Sequence, residues 1–261
     1  MSYKEYDLDK MLLMNHERNI KFHGIYNPIT GEGSTAIPRE AVTIGRIEDG
    51  ELGQLYLPTD MIRDEPCVKE LIQYGSFRDW IAYKDNILAE HVLEESIQQE
   101  LVEFCKIRFE YDFEYWAYVC VTIKDKTTGQ DVPFKLNLAQ RSILLKALED
   151  QRRADIPIRV ILLKARQWGG STLTQLYMLW IQMIHKTGWN SCIAAHKKNG
   201  SRTIKGMVSK AIRYYPDFVG NYTFDRWEGS ASTSIITGRN DRITIGTAQV
   251  PDSVRSEDIV M

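Results

Sequence analysis

Residues 159–172 combine an apolar run, a lysine, two glycines and a serine in an order that suits phosphate binding. The apolar run predicts a buried strand and the residues after Gly170 predict a helix, so the glycines lie at a strand-to-helix turn. Backbone N–H groups at such a turn can cradle an anion. When the sequence is aligned on Gly169 with the pattern G-x-x-x-x-G-K-[ST], Ser171 takes the hydroxyl position and Gly170 replaces the lysine. The lysine stands instead at the first position, Lys164, from which its flexible side chain can reach the same phosphates.

The alternative interpretation of this segment is a turn whose glycines only permit tight packing between a strand and a helix. The charge pattern bears on the choice. Residues 151–215 contain twelve basic residues and one acid, a net charge of +11, which leaves −13 for the rest of a chain whose net charge is −2. Such segregation suits a segment that meets nucleotide phosphates or nucleic acid. It equally suits a solvated helix face that is balanced in space by the acidic N-terminal part.

Changes in pattern divide the chain into an N-terminal region, residues 1–108, and an α/β part, residues 109–261. The N-terminal region predicts an irregular, mixed structure up to about residue 85, with β-like runs such as 41–47, followed by a long amphipathic helix at about 87–108. Dense aromatic residues at 109–118 indicate core packing and lead into a predicted strand at 119–123. The α/β part predicts helices at 140–149, 171–185 and 198–215, and strands at 158–163, 191–195, 234–237 and 243–246.

Composition and cysteine usage exclude several classes of protein. With 261 residues, 43% of them apolar and 26% charged, the chain is long enough for a real core and is neither collagen-like nor disordered. The longest apolar stretch, at 173–184, is too short to span a bilayer, and the N-terminus lacks the pattern of a secretory signal. Four widely spaced cysteines and a distant pair of histidines give no zinc pattern. We therefore expect a cytoplasmic protein with free thiols.

The loop and its surroundings resemble the large terminase subunits of tailed bacteriophages. The run Lys164-Ala-Arg-Gln-Trp-Gly-Gly-Ser-Thr172 looks like their deviant phosphate-binding loop, which in the lambda-type branch carries its lysine at the first position. Upstream, residues 113–116 and 133–141 resemble the entry to the terminase ATPase domain. Downstream, residues 243–247 and 252–255 resemble the strand and Ser-x-Arg segment before its acidic strand. The resemblance covers roughly residues 109–261 and implies a P-loop ATPase of the ASCE or RecA-like type, with its sheet flanked by helices.

The resemblance implies ATP and Mg²⁺ as cofactors and assigns roles to individual residues. Lys164 would contact the β- and γ-phosphates, Arg166 would stabilise the γ-phosphate as a catalytic residue, and Ser171 would bind magnesium. Gly169 and Gly170 would let the backbone approach the phosphates. The nucleotide site would also include the remaining loop residues, a glutamine that reads the adenine edge and an aromatic that stacks on the base or packs beside it: Ala165, Gln167, Trp168, Thr172, Gln140 and Phe134.

The implied function is a motor that hydrolyses ATP to drive double-stranded DNA through a portal into a procapsid, in the host cytoplasm and not in the mature virion. Its implied partners are double-stranded DNA, the portal protein, the small terminase subunit and further copies of the chain in a ring. Basic residues on the predicted helix 198–215 and just before it would follow the DNA backbone: Lys197, Lys198, Arg202 and Lys205. The same residues could instead face an acidic neighbouring subunit in the ring.

Two departures from the terminase pattern limit this interpretation. Gly170 stands where the usual lysine would be. The magnesium-binding Asp and the catalytic Glu are expected at the end of the apolar strand that begins at Ile259, and that strand stops at Met261. We therefore expect a fragment without its nuclease domain that hydrolyses ATP weakly or not at all. The rival hypotheses are a helicase-like, nucleic-acid-dependent ATPase and a non-catalytic DNA-binding or assembly module with a degenerate loop.

Overall fold

The computed structural model describes most of the chain. The described residues are 13, 14, 17, 26–45, 53–85, 90–125, 128–163, 168–195, 198–220, 224–227, 233–236, 238–247 and 258–260. For residues 90, 198, 199, 201–205, 224–227, 233–235 and 247 the course of the backbone is described without the side chain. The protein is mixed α/β, about half helical, with three parallel strands in its main sheet.

The N-terminal region contains a β-hairpin and three short helices. Strands β1 (Arg39–Thr43) and β2 (Gln54–Pro58) pair antiparallel, so the β-like run predicted at 41–47 is a strand in its first residues, and 46–50 lie outside the described residues. The prediction of an irregular structure up to residue 85 was wrong, because three helices follow: α1 (Thr59–Asp64), α2 (Pro66–Tyr74) and α3 (Phe77–Lys84). Ser76 caps the start of α3, where its side chain accepts a hydrogen bond from the Asp79 N–H.

The amphipathic pattern before the aromatic cluster forms the long helix α4 (Glu90–Tyr111), which confirms the predicted helix. The aromatic cluster itself continues as helix α5 (Phe113–Cys120), whose first turn is capped by Asp112 accepting from the Tyr115 N–H at 3.2 Å. The predicted strand at 119–123 was therefore mostly wrong. Strand β3 (Thr122–Lys124) starts only after the helix ends and pairs with β4 (Asp131–Pro133). The cap overrides the strand preference of the aromatic residues.

The main sheet has five described strands in the order β6-β7-β8-β5-β9. Strand β5 lies parallel to both β8 and β9, whereas β6, β7 and β8 pair antiparallel. The strands predicted at 191–195, 234–237 and 243–246 are confirmed within a few residues. The bounds are β5 (Asn190–Ala195), β6 (Phe224–Trp227), β7 (Thr233–Ile236), β8 (Asp241–Thr247) and β9 (Ile259–Val260).

Helices connect and flank this sheet. The three helices predicted in the α/β part are confirmed, with the difference that two of them include a π-helical turn. The bounds are π1 (Gln140–Leu145), α6 (Lys146–Arg153), α7 (Gly170–Trp180), π2 (Ile181–His185) and α8 (Lys198–Arg213). Helix α8 packs on β5 and β8, and α7 packs on α8. Helix α7, which begins at the glycine-bearing turn, is therefore packed through α8 against the main sheet.

The strand predicted at 158–163 is absent. These residues have no strand pairing among the described residues, and Ile161 and Leu163 expose essentially their whole side chains. The segment is fastened at its start, where the Arg159 N–H donates to Gln151 Oε1 at 2.9 Å. A run of apolar β-branched residues becomes a strand only if a partner edge is available, and the edge strand β9 is two residues long in the described part.

Two hydrophobic clusters form the core. One lies around the hairpin and α1 to α4, and the other joins α5, π1, α6 and α7 to α8 and the sheet. The aromatic residues at 109–118 belong largely to the second cluster, as predicted, with Phe109, Phe113 and Trp116 fully buried. All four cysteines are free. Within the described ranges, no helix combines the length and apolar character needed to cross a bilayer.

Candidate phosphate-binding loop

The glycine-bearing turn at Gly169 and Gly170 begins helix α7 with a residue in the left-handed conformation. Gly169 has φ 83° and is the N-cap of the eleven-residue helix. The first intrahelical bond runs from the Leu173 N–H to the Gly169 carbonyl at 3.0 Å. Helix geometry therefore leaves the N–H groups of Gly170, Ser171 and Thr172 available to another acceptor. An anion placed there would also gain from the positive end of the helix dipole.

The predicted loop residues divide into described and undescribed ones. Lys164, Ala165, Arg166 and Gln167 lie outside the described residues, so their predicted contacts with phosphate stay predictions. The described remainder comprises Trp168, Gly169, Gly170, Ser171 and Thr172, of which Gly170 is buried and the others are half-buried. Trp168 packs against the larger hydrophobic cluster, and the Thr172 hydroxyl lies 3.7 Å from Met207 Sδ in α8.

The upstream residues Asn137 and Gln140 hold the turn by its backbone. Asn137 Nδ2 donates to the Trp168 carbonyl at 3.2 Å, and Gln140 Nε2 donates to the Gly169 carbonyl at 2.9 Å. Both side chains are almost fully buried, with 7% and 3% of their surface exposed. A Cβ atom added to Gly169 would lie 2.6 Å from Gln140 Nε2. The turn thus needs glycine for two reasons, a left-handed backbone and the close approach of this amide.

The sequence predicted Gln140 as an adenine contact and Phe134 as its stacking or packing partner. Phe134 is buried in the larger hydrophobic cluster, where it packs. Gln140 is brought to the loop as expected, but the described contacts of its amide are with protein backbone. Its contact with adenine stays a prediction.

Sequence reasoning missed Asn137, although a signal for it exists. Asn137 Oδ1 accepts from the Gln140 N–H at 2.9 Å, and Gln140 Oε1 accepts from the Asn137 N–H at 2.9 Å. This reciprocal pair is a capping box, the amide form of the pattern S/T-x-x-E/Q. The spacing Asn-x-x-Gln before an apolar run could have identified it.

Part of the positive charge of residues 151–215 is balanced within the fold. Three of its basic side chains form ion pairs with acids from other parts of the chain or from the start of the same helix. The pairs are Arg152 with Glu149, Arg153 with Glu149 and Asp60, and Lys210 with Asp131. The balanced-face interpretation therefore accounts for these three residues.

The predicted DNA-binding residues lie at the start of α8. Lys198, Arg202 and Lys205 belong to this helix at spacings of four and three, so they share one face. Their side chains and the whole of Lys197 lie outside the described residues. The next residue, Gly206, is exposed, with open space where a side chain would be.

A buried ion cluster supports the loop from the N-terminal side. The guanidinium of Arg141, the neighbour of Gln140, lies 3.9 Å from the ring centroid of Tyr26. Nearby, Arg39 donates to Asp112 through both terminal nitrogens at 2.7 Å. Burial opposes ionisation of Asp112, but the guanidinium groups of Arg39 and Arg108 outweigh it and hold the pKa of Asp112 well below its usual range.

Glu114 completes this cluster, and its pKa is shifted in the opposite direction to that of Asp112. It accepts hydrogen bonds from Ser34 and from Arg39, and it is almost fully buried. Burial raises the pKa of Glu114, and the Arg39 guanidinium offsets only part of that effect. The cluster therefore joins the segment around the hairpin to the start of α5.

No group of three or more His, Cys, Asp or Glu side chains able to hold a metal ion occurs in the described part of the chain. The metal ligand predicted from the resemblance is a hydroxyl, Ser171, which lies half-buried in the first turn of α7. No protein-family profile matches the chain, and no curated protein is significantly similar to it. The evidence for a nucleotide site is therefore the loop motif and the geometry of the turn.

Proposed function

We propose that this chain is the ATP-binding part of a viral large terminase subunit, a motor that drives double-stranded DNA into a procapsid. The observation that carries the proposal is the turn at Gly169. A left-handed glycine begins a helix whose first N–H groups are free for an anion, and a serine follows two residues later. These are the features expected on the helix side of a displaced-lysine phosphate-binding loop.

The residues present fit a triphosphate with magnesium. The first-turn N–H groups of α7 would bind phosphate oxygens, and the Ser171 hydroxyl would bind Mg²⁺. Lys164 would add its ammonium group to the same phosphates, and Arg166 would stabilise the terminal one. Magnesium, when bound, neutralises phosphate charge. Because the acidic strand's Asp and Glu are not among the candidate residues, we propose weak or no ATP hydrolysis by this chain alone.

The proposal includes a P-loop ATPase fold of the ASCE or RecA-like type. Three parallel strands with α7 and α8 beside them supply part of such a fold. Double-stranded DNA would meet the first turns of α8, and its affinity would fall steeply with salt. The portal protein, the small terminase subunit and a homo-oligomeric ring remain proposals from the same resemblance.

The deciding experiment is calorimetry with a non-hydrolysable ATP analogue and magnesium. The wild-type chain, the Lys164→Ala variant and a chain extended beyond Met261 would be compared, with Lys186→Ala as the control for loss of an exposed lysine outside the loop. We expect binding that is lost with Lys164→Ala and kept with Lys186→Ala. Absence of binding in both wild-type chains would refute the proposal and reduce the loop to a packing turn. Vigorous magnesium-dependent turnover by the 261-residue chain would refute the expectation of weak hydrolysis.

A second candidate is a non-catalytic assembly module, and the exposed segment 158–163 favours it. The apolar residues there, which a P-loop ATPase would bury in its sheet, face water in the described structure. Exposed apolar segments often mark interaction sites. Nucleotide binding that is unchanged by Lys164→Ala would support this candidate over the motor.

A further inference from the structure

The capping box of Asn137 and Gln140 is built from two amides, although capping itself uses only their oxygen atoms. In this box both side-chain oxygens are used as acceptors, each from the other residue's N–H. An Asp-x-x-Glu pair would supply the same two acceptors. Only amides leave an NH₂ group on each side chain, and here both NH₂ groups donate to the candidate loop.

We propose that Asn137 and Gln140 are positioning residues, which set the orientation of the phosphate-binding loop through these two NH₂ groups. The inference rests on the proposed function for its ligand, a triphosphate. Gln140 thereby gains a role in the loop's backbone geometry, and so does Asn137, to which the resemblance gives no role.

The two hydrogen bonds fix consecutive peptide groups. In a trans peptide the carbonyl and the N–H point in opposite directions. Because the Trp168 and Gly169 carbonyls point toward Asn137 and Gln140, the N–H groups of Gly169 and Gly170 point away from them. The Gly169 carbonyl also accepts from the Leu173 N–H, so the same atom starts helix α7 and is held by Gln140. The direction of the anion-binding N–H groups is therefore set from outside the loop.

Burial makes this role hard to combine with adenine contact. The Gln140 side chain is 3% exposed, and its oxygen and nitrogen each have a backbone partner. Recognition of adenine by a glutamine amide uses the same oxygen and nitrogen, so the base would have to displace a loop contact. The two roles therefore predict different results. Loss of a positioning residue weakens binding of any triphosphate, whereas loss of an adenine contact weakens binding of ATP alone.

The first test compares ATP with inorganic triphosphate, which carries no base. In Asn137→Ser the hydroxyl still caps the helix and the charge is unchanged, but the donor to the Trp168 carbonyl is lost. Gln140→Met removes the donor to the Gly169 carbonyl without adding charge. Ser142→Ala, at an exposed site two residues further on, is the control.

We expect each variant to weaken binding of triphosphate and of ATP by the same factor, roughly five- to tenfold for the one hydrogen bond to the loop that it removes. Gln140→Met also removes the acceptor of the Asn137 N–H, which lies outside the loop. The control should bind both ligands as the wild type does. A loss confined to ATP in Gln140→Met would overturn the inference in favour of adenine reading. Unchanged affinity for both ligands in both variants would overturn it as well.

A second measurement separates this inference from the proposed function. Amide hydrogen exchange of Leu173, whose N–H donates to the Gly169 carbonyl, should be faster in Asn137→Ser and Gln140→Met than in Ser142→Ala, while exchange in β5 stays unchanged. If the wild type binds no triphosphate but exchange at Leu173 rises in this way, the nucleotide site is refuted and the positioning role stands. If exchange at Leu173 is the same in all variants, the positioning role is refuted whatever the ligand result.

Discussion

Replacing Gly169 by alanine tests the geometry of the turn in the folded protein. Two separate penalties are expected. A left-handed conformation costs a residue with a Cβ about 1–2 kcal/mol. The new Cβ would also lie 2.6 Å from Gln140 Nε2 and 3.3 Å from Gln140 Cδ, so the amide must leave its position. The loss of the hydrogen bond from the buried Gln140 amide to the Gly169 carbonyl adds about 1–3 kcal/mol, for a total of roughly 2–5 kcal/mol.

Gly188 provides a matched control for the first penalty alone. Its φ is 76°, close to that of Gly169, and no atom lies within 4 Å of an added Cβ. Gly188→Ala should therefore cost about 1–2 kcal/mol. The difference between the two variants isolates the contact with Gln140.

The assay is urea unfolding, with Gln140→Ala and the double variant added to complete a thermodynamic cycle. In the Gln140→Ala background, Gly169→Ala should cost only the conformational penalty, which gives a coupling energy of about 1–3 kcal/mol. Equal losses for Gly169→Ala and Gly188→Ala, together with a coupling energy near zero, would refute the described packing of this turn.

The remaining predictions concern buried charges. Arg39→Met should lower the free energy of unfolding by about 3–5 kcal/mol because it leaves Asp112 and Glu114 buried with fewer partners. Arg63→Met, which removes one member of an exposed ion pair, should change it far less. Similar losses for the two variants in urea unfolding would contradict this. Burial and the nearby Arg152 lower the pKa of His185 to about 4, below its ordinary value of about 6.5. The unfolded chain therefore binds more protons between these pH values, and the stability from neutral His185 is lost as pH falls from about 6.5 to 4. His185→Phe should reduce that loss by about 2 kcal/mol, after allowance for partial exposure, and identical pH profiles for the two proteins would count against the assignment.

Helices with a strong apolar period could be predicted from the sequence. The patterns at 87–108 and 198–215 correspond to α4 and α8 because each helix buries one face, and periodicity reports that directly. The strand at 158–163 could not be predicted correctly, since a strand depends on a partner elsewhere in the chain. Local composition carries no information about whether that partner edge is present.

The candidate site was predictable only in part, for a similar reason. Gly169, Gly170 and Ser171 form a local motif that predicts an anion-binding turn without knowledge of the fold. The bond from Asn137 to the Trp168 carbonyl joins residues 31 positions apart, and only the fold brings them together. The capping box is visible in the sequence, but the use of its spare NH₂ groups is not.

The exposed segment after α6 has a consequence for how the protein behaves in concentrated solution. From Ile156 to Leu163 the chain is largely exposed and apolar, it has no regular secondary structure, and Arg159 is its one charged residue. Unpaired segments of this composition are templates for β-pairing between molecules and hence for aggregation. Pro157 blocks pairing at one end only, because the residues after it keep their N–H groups. Because the Ile161 side chain already faces water, Ile161→Lys would reduce self-association through its charge without disturbing the core.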